Sequence, residues 1–267
     1  MTLDPHHRLD ACLAGHDTPR VLVVVAHPDD EVLGCGALLG RLSDGRVIHV
    51  TDGAPRDGDD ARRHGFASPA AYAAARADEA KAALAIAGLG AGQLSCLGLP
   101  DQGVSWRLAE VATRLGPALL ACDLVLTHAF EGGHCDHDGV AFAVHAALRR
   151  LPDAVRPTLV EMPFYHAAAD GWCRQVFLPH PGASPERLLR LDAAAEVRKA
   201  RMIAAHASQG DTLRSFDGTV ERFRLAPPYD FAARPHAGDL LYERHGWNLD
   251  WPSWVARVGA AEAALAR

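Results

Sequence analysis

Residues 21–42 read VLVVVAHPDDEVLGCGALLGRL, and this stretch decides the architecture. Residues 21–26 (VLVVVA) are apolar throughout, which suits a central strand covered on both faces. His27-Pro28-Asp29-Asp30-Glu31 then turns the chain, and residues 31–42 carry the apolar spacing of a helix. The same rhythm continues outward. Residues 46–51, 93–97, 123–128 and 158–164 read as strands, and 69–87, 106–120 and 138–150 as helices, many of them rich in Ala, the best helix former. Gly116-Pro117 should kink or interrupt the helix over 106–120. Strands alternating with helices predict an α/β fold with a mostly parallel sheet and helices on both faces.

After about residue 165 the pattern changes to a Pro- and Gly-rich loop, a helix near 185–207 and a tail holding Pro227, Pro228, Pro235 and Pro252. No linker or internal repeat divides the chain. It reads as one domain over 1–267, a core over 1–180 with a C-terminal elaboration over 181–267 packed on it.

The 267 residues are 49% hydrophobic and 22% charged, an ordinary globular balance. With 27 Lys+Arg against 33 Asp+Glu the net charge is −6, and no basic block is present to neutralise phosphates, so nucleic acid is not an expected partner. No apolar run approaches the roughly 20 residues that span a bilayer, and the N-terminus lacks the pattern of a secretory signal. The expectation is therefore a cytoplasmic protein without a membrane partner, with homo-oligomerisation left open. The six Cys form no C-x-x-C pair and read as reduced thiols. Histidine is the unusual item, with 15 copies.

Two turns concentrate imidazoles and carboxylates. The first is residues 26–31 (AHPDDE), between strand and helix, where a sheet of this kind binds ligands. The bland alternative is that Asp29 or Asp30 caps the helix and His27 is incidental. The second is residues 127–138 (THAFEGGHCDHD), again after a strand and before a helix. If the two strands are neighbours, both turns open on one crevice, and His27, Asp30 and His137 form a two-His, one-carboxylate set with an open position, the pattern of a catalytic Zn²⁺. Fe²⁺ or another divalent ion suits the same donors.

Together with Thr51-Asp52-Gly53, Arg76-x-x-Glu79, residues 97–101 (LGLPD) and Lys199…His206-x-Ser208-Gln209, these turns resemble the PIG-L/LmbE-like family of zinc-dependent N-deacetylases over about 21–209. The resemblance implies a Rossmann-like fold and hydrolysis of the acetamide of an N-acetylglucosamine-type sugar or conjugate. It implies His27, Asp30 and His137 as zinc ligands and Asp29 as general base. His134 would be the oxyanion-stabilising histidine and acid, held charged by Asp136, and Arg76 and Asp101 would hold the sugar. Cys135 stands where the family usually has Pro. The competing expectations are an amidase for a bulkier sugar-linked conjugate and a zinc-containing amino-sugar binder without turnover.

Other features read more blandly. Gly34-Cys35-Gly36 does not follow its strand directly, so it does not mark a dinucleotide loop. Glu31 complements the helix dipole, and His128 is either a core or a pocket residue. The remaining histidines, His16 among them, have no second ligand at useful spacing. Trp247, Trp251 and Trp254 could stack on sugars, but are expected to pack the tail on the domain. Residues 57–63 read as a mobile surface loop or a lid over the substrate.

Overall fold

In the computed structural model, which describes residues 4–15, 19–169, 171–247 and 249–267, strand β1 (Val21–Val25) is buried along its whole length. Successive side chains point to opposite faces. Leu22 and Val24 join one apolar cluster, and Val21, Val23 and Val25 join another. This explains why the run is apolar at every position. The first cluster is closed by α5 (Leu108–Leu120), α6 (Cys135–Arg149) and α10 (Trp251–Leu265), the second by α1 (Pro5–Ala14) and α2 (Asp30–Leu39). Helices α4 (Pro69–Ile86) and α7 (Ala193–Ala205) pack on each other, and α7 packs on α2.

β1 pairs in parallel with β2 (Gly45–Thr51) on one side and β4 (Leu124–His128) on the other. β3 (Leu94–Leu99) lies outside β2, and β5 (Thr158–Met162) outside β4. Two strands from late in the chain, β8 (Arg187–Arg190) and β9 (Val220–Leu225), extend the sheet antiparallel to the order β3-β2-β1-β4-β5-β9-β8. The winding reverses between β1 and β4, which leaves a crevice at the carboxyl ends of those two strands. A separate antiparallel pair, β6 (Tyr165–Ala168) and β7 (Gly171–Arg174), replaces the loop expected after residue 165.

Three other elements depart from expectation. α5 runs through Gly116-Pro117 without interruption. Pro117 is exposed and close to the helix end, and the carbonyl four residues back, which loses its N–H partner, belongs to exposed Thr113. The helix expected near 185–207 begins only at Ala193, because Asp192 accepts from Ala195 N at 2.8 Å as its cap. Before it, Leu189 is buried and Leu188 exposed, an alternation that places β8 at the sheet edge. α6 starts at Cys135, three residues early, with His134 as its cap.

All six Cys are unpaired. Among the described residues no helix is long and apolar enough to cross a membrane.

α6 buries His145 against Tyr229 and Phe231, at ring separations of 5.4 and 5.3 Å, with Nε2 unpartnered. Burial, helped by the charge of Arg149, pushes its pKa down to about 3. The unfolded chain takes up this proton near pH 6.5 while the folded chain does not, so stability is full above 6.5 and falls as the pH drops towards 3. From this residue we expect a loss of about 2 kcal/mol between pH 8 and pH 5 in urea titrations. His145→Phe should flatten that part of the profile, and an unchanged profile would refute the assignment.

Candidate metal centre and its cleft

The turn after β1 is held under strain. Asp29 has φ 136°, a region L-residues rarely occupy, and such a residue costs on the order of 1–3 kcal/mol unless its surroundings impose it. Two groups do so here. Arg76 on α4 donates to Asp29 Oδ2 at 2.9 Å, to the Pro28 carbonyl at 2.9 Å and to the Gly53 carbonyl at 2.5 Å. Glu31, wholly buried, accepts from Asp29 N at 3.1 Å and is tied to His49 Nε2 at 2.8 Å. Asp29 occupies the cap position of α2, yet its side chain makes no capping bond. The capping alternative therefore fails for Asp29. Asp30 accepts from His27 N at 2.8 Å through Oδ2, which lies 3.3 Å from His27 Nδ1, while its Oδ1 lies 3.3 Å from His137 Nε2.

The turn after β4 is shaped from within. Asp138 accepts from the N–H groups of Glu131 and Gly132, each at 3.1 Å. Gly133 is required, because a Cβ there would run into the Tyr165 carbonyl oxygen. His128, at the end of β4, accepts from Ala26 N at 2.8 Å through Nε2 and stacks on His137 at 4.1 Å. That nitrogen's lone pair is occupied, so His128 acts as a core residue that braces His137.

The pairing expected between Asp136 and His134 needs correction. The Asp136 carboxylate accepts from Gln102 N at 2.6 Å and Val104 N at 2.9 Å, and lies 3.4 Å from His27 Nε2. Only its backbone N–H reaches His134, donating to Nδ1 at 3.1 Å, because the helix start turns this peptide towards its own cap. A donor on Nδ1 assigns the ring proton to Nε2. The carboxylate that faces Nε2 is Asp101, at 3.5 Å. Burial, with His27 nearby, pushes the His134 pKa well below the ordinary value, against the charged ring that the resemblance implies.

Three overlapping groups bring potential ligand atoms within 4.8 Å of one another: His27, His134 and His137; His27, Asp101, His134 and Asp136; and Asp30, His128 and His137. The expected set of His27, Asp30 and His137 is not itself one of these groups: His27 and His137 belong to the first and Asp30 and His137 to the third, with His137 common to both, while the two oxygens of Asp30 lie 3.3 Å from His27 and from His137. The chemistry fits a divalent ion. Asp30, Asp101 and Asp136 converge on His27, and Asp101 Oδ1 is buried without a hydrogen-bond donor. Burial works against a charge on His27, yet these carboxylates raise its pKa well above the ordinary value. Burial also opposes ionisation of Asp101, but His27 and His134 hold it below the usual carboxylate range. Positive charge is what this cluster lacks. The donor set does not select zinc over other divalent ions. Burial pushes Asp29 up to about 8, with Arg76 opposing and Asp30 reinforcing the shift.

His27, Asp29, Asp30, Asp101, His134 and His137 line a cleft of about 220 Å³, whereas Asp136 and His128 lie behind its wall. Arg76 borders it, but its side chain is 5% exposed and tied to the turn, so it braces Asp29 instead of standing free for a sugar. Gln209, from the motif quoted above, and Asp60 also line it, and sequence reasoning missed three further residues: Tyr165, Trp172 and Phe216. No local spacing marks them, since each arrives through long-range packing. Trp254 lies in the first apolar cluster and Trp247 and Trp251 pack against it, as expected, and Trp247 also borders the cleft, 4.6 Å from the His134 ring. Asp60 sits on α3 (Asp59–Arg63), within the stretch read as a loop or lid, and Ala61 anchors that helix beside Tyr72. A larger hollow of about 490 Å³ near His145 and Pro228 has no comparable convergence of ligand atoms.

Residues 22–148 match the model of the PIG-L family, described as GlcNAc-PI de-N-acetylase. No curated protein matches the sequence. Among solved structures, a deacetylase of teicoplanin biosynthesis is 19% identical with a TM-score of 0.63, over 79% of this chain and 99% of its own. The A40926 pseudoaglycone deacetylase Dbv21 is 20% identical with a TM-score of 0.61, over 83% of this chain and 100% of its own. The N,N'-diacetylchitobiose deacetylase of Pyrococcus horikoshii is 18% identical with a TM-score of 0.53, over 83% and 92%. At such identities the shared property is the fold.

Asp136→Asn should test the loop contact. An amide can accept only one of the two N–H groups now bound and sets a donor against the other, so stability should fall by about 1–3 kcal/mol in chemical denaturation. A change below about 0.5 kcal/mol would show that the contact contributes little.

Proposed function

We propose, for a chain built on the fold of the PIG-L/LmbE-like deacetylases, that it is a metal-dependent N-deacetylase. It hydrolyses the acetamide of an N-acetylglucosamine-type sugar or sugar conjugate to a free amine and acetate. One observation carries the reading: Asp29, strained and not used as a cap, shares a cleft with His134 and the His/Asp cluster.

A divalent ion held by His27, Asp30 and His137 would polarise the acetyl carbonyl and acidify water. The protein's own groups do the rest. Arg76 fixes Asp29 Oδ2, leaving Oδ1 to take the proton of the attacking water. His134 presents Nε2–H to the developing oxyanion. Since its Nδ1 is already accepting from Asp136 N, the ring has no second proton to give. The proton delivered to the leaving amine is therefore the one Asp29 removed from water, and a single carboxyl carries it both ways.

The rings of Tyr165, Trp172, Phe216 and Trp247 support a substrate with a stackable face, and Asp60 and Asp101 are suited to hydroxyl groups. The same rings favour, as a second reading, an amidase for a bulkier sugar-linked conjugate. A zinc-containing binder without turnover would have no use for the strained Asp29. The six unpaired Cys support a reducing, cytoplasmic setting.

Metal analysis combined with amine release over N-acetylated sugars and aryl or long-acyl conjugates tests the reading. A deacetylase of teicoplanin biosynthesis is described in a zinc inhibited form, so the chelated protein should be reloaded separately with Zn²⁺ and Fe²⁺. Asp29→Ala should retain metal while acetate release falls about 10²-fold or more. Near-normal release in that variant would sink the mechanism.

A further inference from the structure

Helix α2 is broken in its middle, where Cys35 has φ −147° and ψ 24°. A regular helix would join Ala37 N–H to the Leu33 carbonyl. Here the link is open, and each end finds a charged partner. Ala37 N donates to Glu221 Oε1 at 2.6 Å and Leu38 N to Glu221 Oε2 at 3.0 Å. Lys199 Nζ donates to the Leu33 carbonyl at 2.9 Å and meets Glu221 Oε1 at 2.8 Å. Hydrogen bonds thus run from Leu33 C=O through the Lys199 ammonium and the Glu221 carboxylate to Ala37 N–H. The Cys35 thiol donates to the Glu31 carbonyl at 3.3 Å.

Both side chains are fully buried. A buried ion pair by itself is weak evidence for stability, because desolvation offsets the attraction and apolar replacement is often neutral. This pair differs in satisfying three backbone groups that burial would otherwise orphan. Its members come from α7 and β9, outside residues 22–148, yet they act on the helix that opens the site.

The break separates a first turn, carrying Asp30 and Glu31, from a second half whose amides bond Glu221, and both parts touch α7, through Val32 before the break and Gly36 after it, each beside Met202. Asp30 must show one oxygen to His27 and the other to His137 at once. That demand sets the direction of the first turn, and the break is what lets the turn depart from the axis of the second half.

We propose that Lys199 and Glu221 are positioning residues for the candidate metal centre: by bridging the break in α2 they hold Asp30 where it faces both histidines. The inference rests on the metal-site reading above.

The test compares the full-length protein with Lys199→Met and Glu221→Gln. Metal affinity is measured by chelator competition with Zn²⁺ and Fe²⁺, and folding by circular dichroism and denaturation. The folded variants should bind metal about tenfold more weakly or worse. Wild-type protein that binds neither ion would overturn the metal-site reading and this inference with it. Wild-type protein that binds metal, with both folded variants within about twofold of it, would overturn the positioning role alone. Hydrogen exchange on the wild type decides the matter if the variants do not fold. Coupling is reciprocal, so metal loading should slow exchange at Ala37 and Leu38 by a larger factor than at the amides of α5, which report global stabilisation. Slowing no greater than in α5 would overturn the proposal.

Discussion

The parallel pairing of β1 with β4 is the interaction on which the rest depends. Val21, Leu22 and Val23 lie beside Leu124, Val125 and Leu126, so two chain segments about a hundred residues apart end at the same edge. Cross-links fasten the ends together: Thr127 Oγ1 donates to the Val24 carbonyl at 2.9 Å, and Ala26 N donates to His128. β2 secures the other flank, where Thr51 Oγ1 donates to the Ala26 carbonyl. The His27–Glu31 turn is therefore anchored on both sides. With any other strand order the two histidine-bearing turns would not share a cleft.

That convergence creates a charge problem, and its solution is the logic of the site. Burying carboxylates is costly unless each finds donors or a counter-charge. Asp136 takes two backbone N–H groups, Asp29 takes Arg76, and Asp30 takes His27 N. Asp101 Oδ1 has no hydrogen-bond donor and is left facing His27 and His134. The remaining deficit is positive charge at the point where the imidazoles converge, which suits a bound cation.

The later part of the chain is not an appendage to this arrangement. β9 and β8 complete the sheet, and the buried Arg224–Glu161 pair joins β9 to β5. α10 closes one apolar cluster through Trp254, whose Nε1 donates to the Phe231 carbonyl. Tyr165, Trp172 and Trp247 supply aromatic surface to the cleft, and Lys199 and Glu221 reach back to the break in α2.

Much of this was legible because the deciding signals are local. Alternation of strands and helices was enough for an α/β sheet, and His27, Asp29, Asp30, His134 and His137 each lie in a turn whose place at the sheet edge follows from the elements around it. Contacts between distant segments were not legible. The resemblance paired Asp136 with His134, whereas the helix start sends that carboxylate to residues 102 and 104. The resemblance gave Arg76 to the sugar, yet its side chain is buried against Asp29, and Glu31 read as a dipole partner and braces Asp29 N. Residues 187–190 read as helix until β9 offered them an edge to pair with. By itself the sequence determined which chemical groups the two turns carry and the kind of sheet that displays them, since periodicity and turn chemistry act over a few residues. Only the tertiary structure decided which donor meets which acceptor, because buried polar groups must be satisfied by whatever the packing of distant segments brings within hydrogen-bond reach.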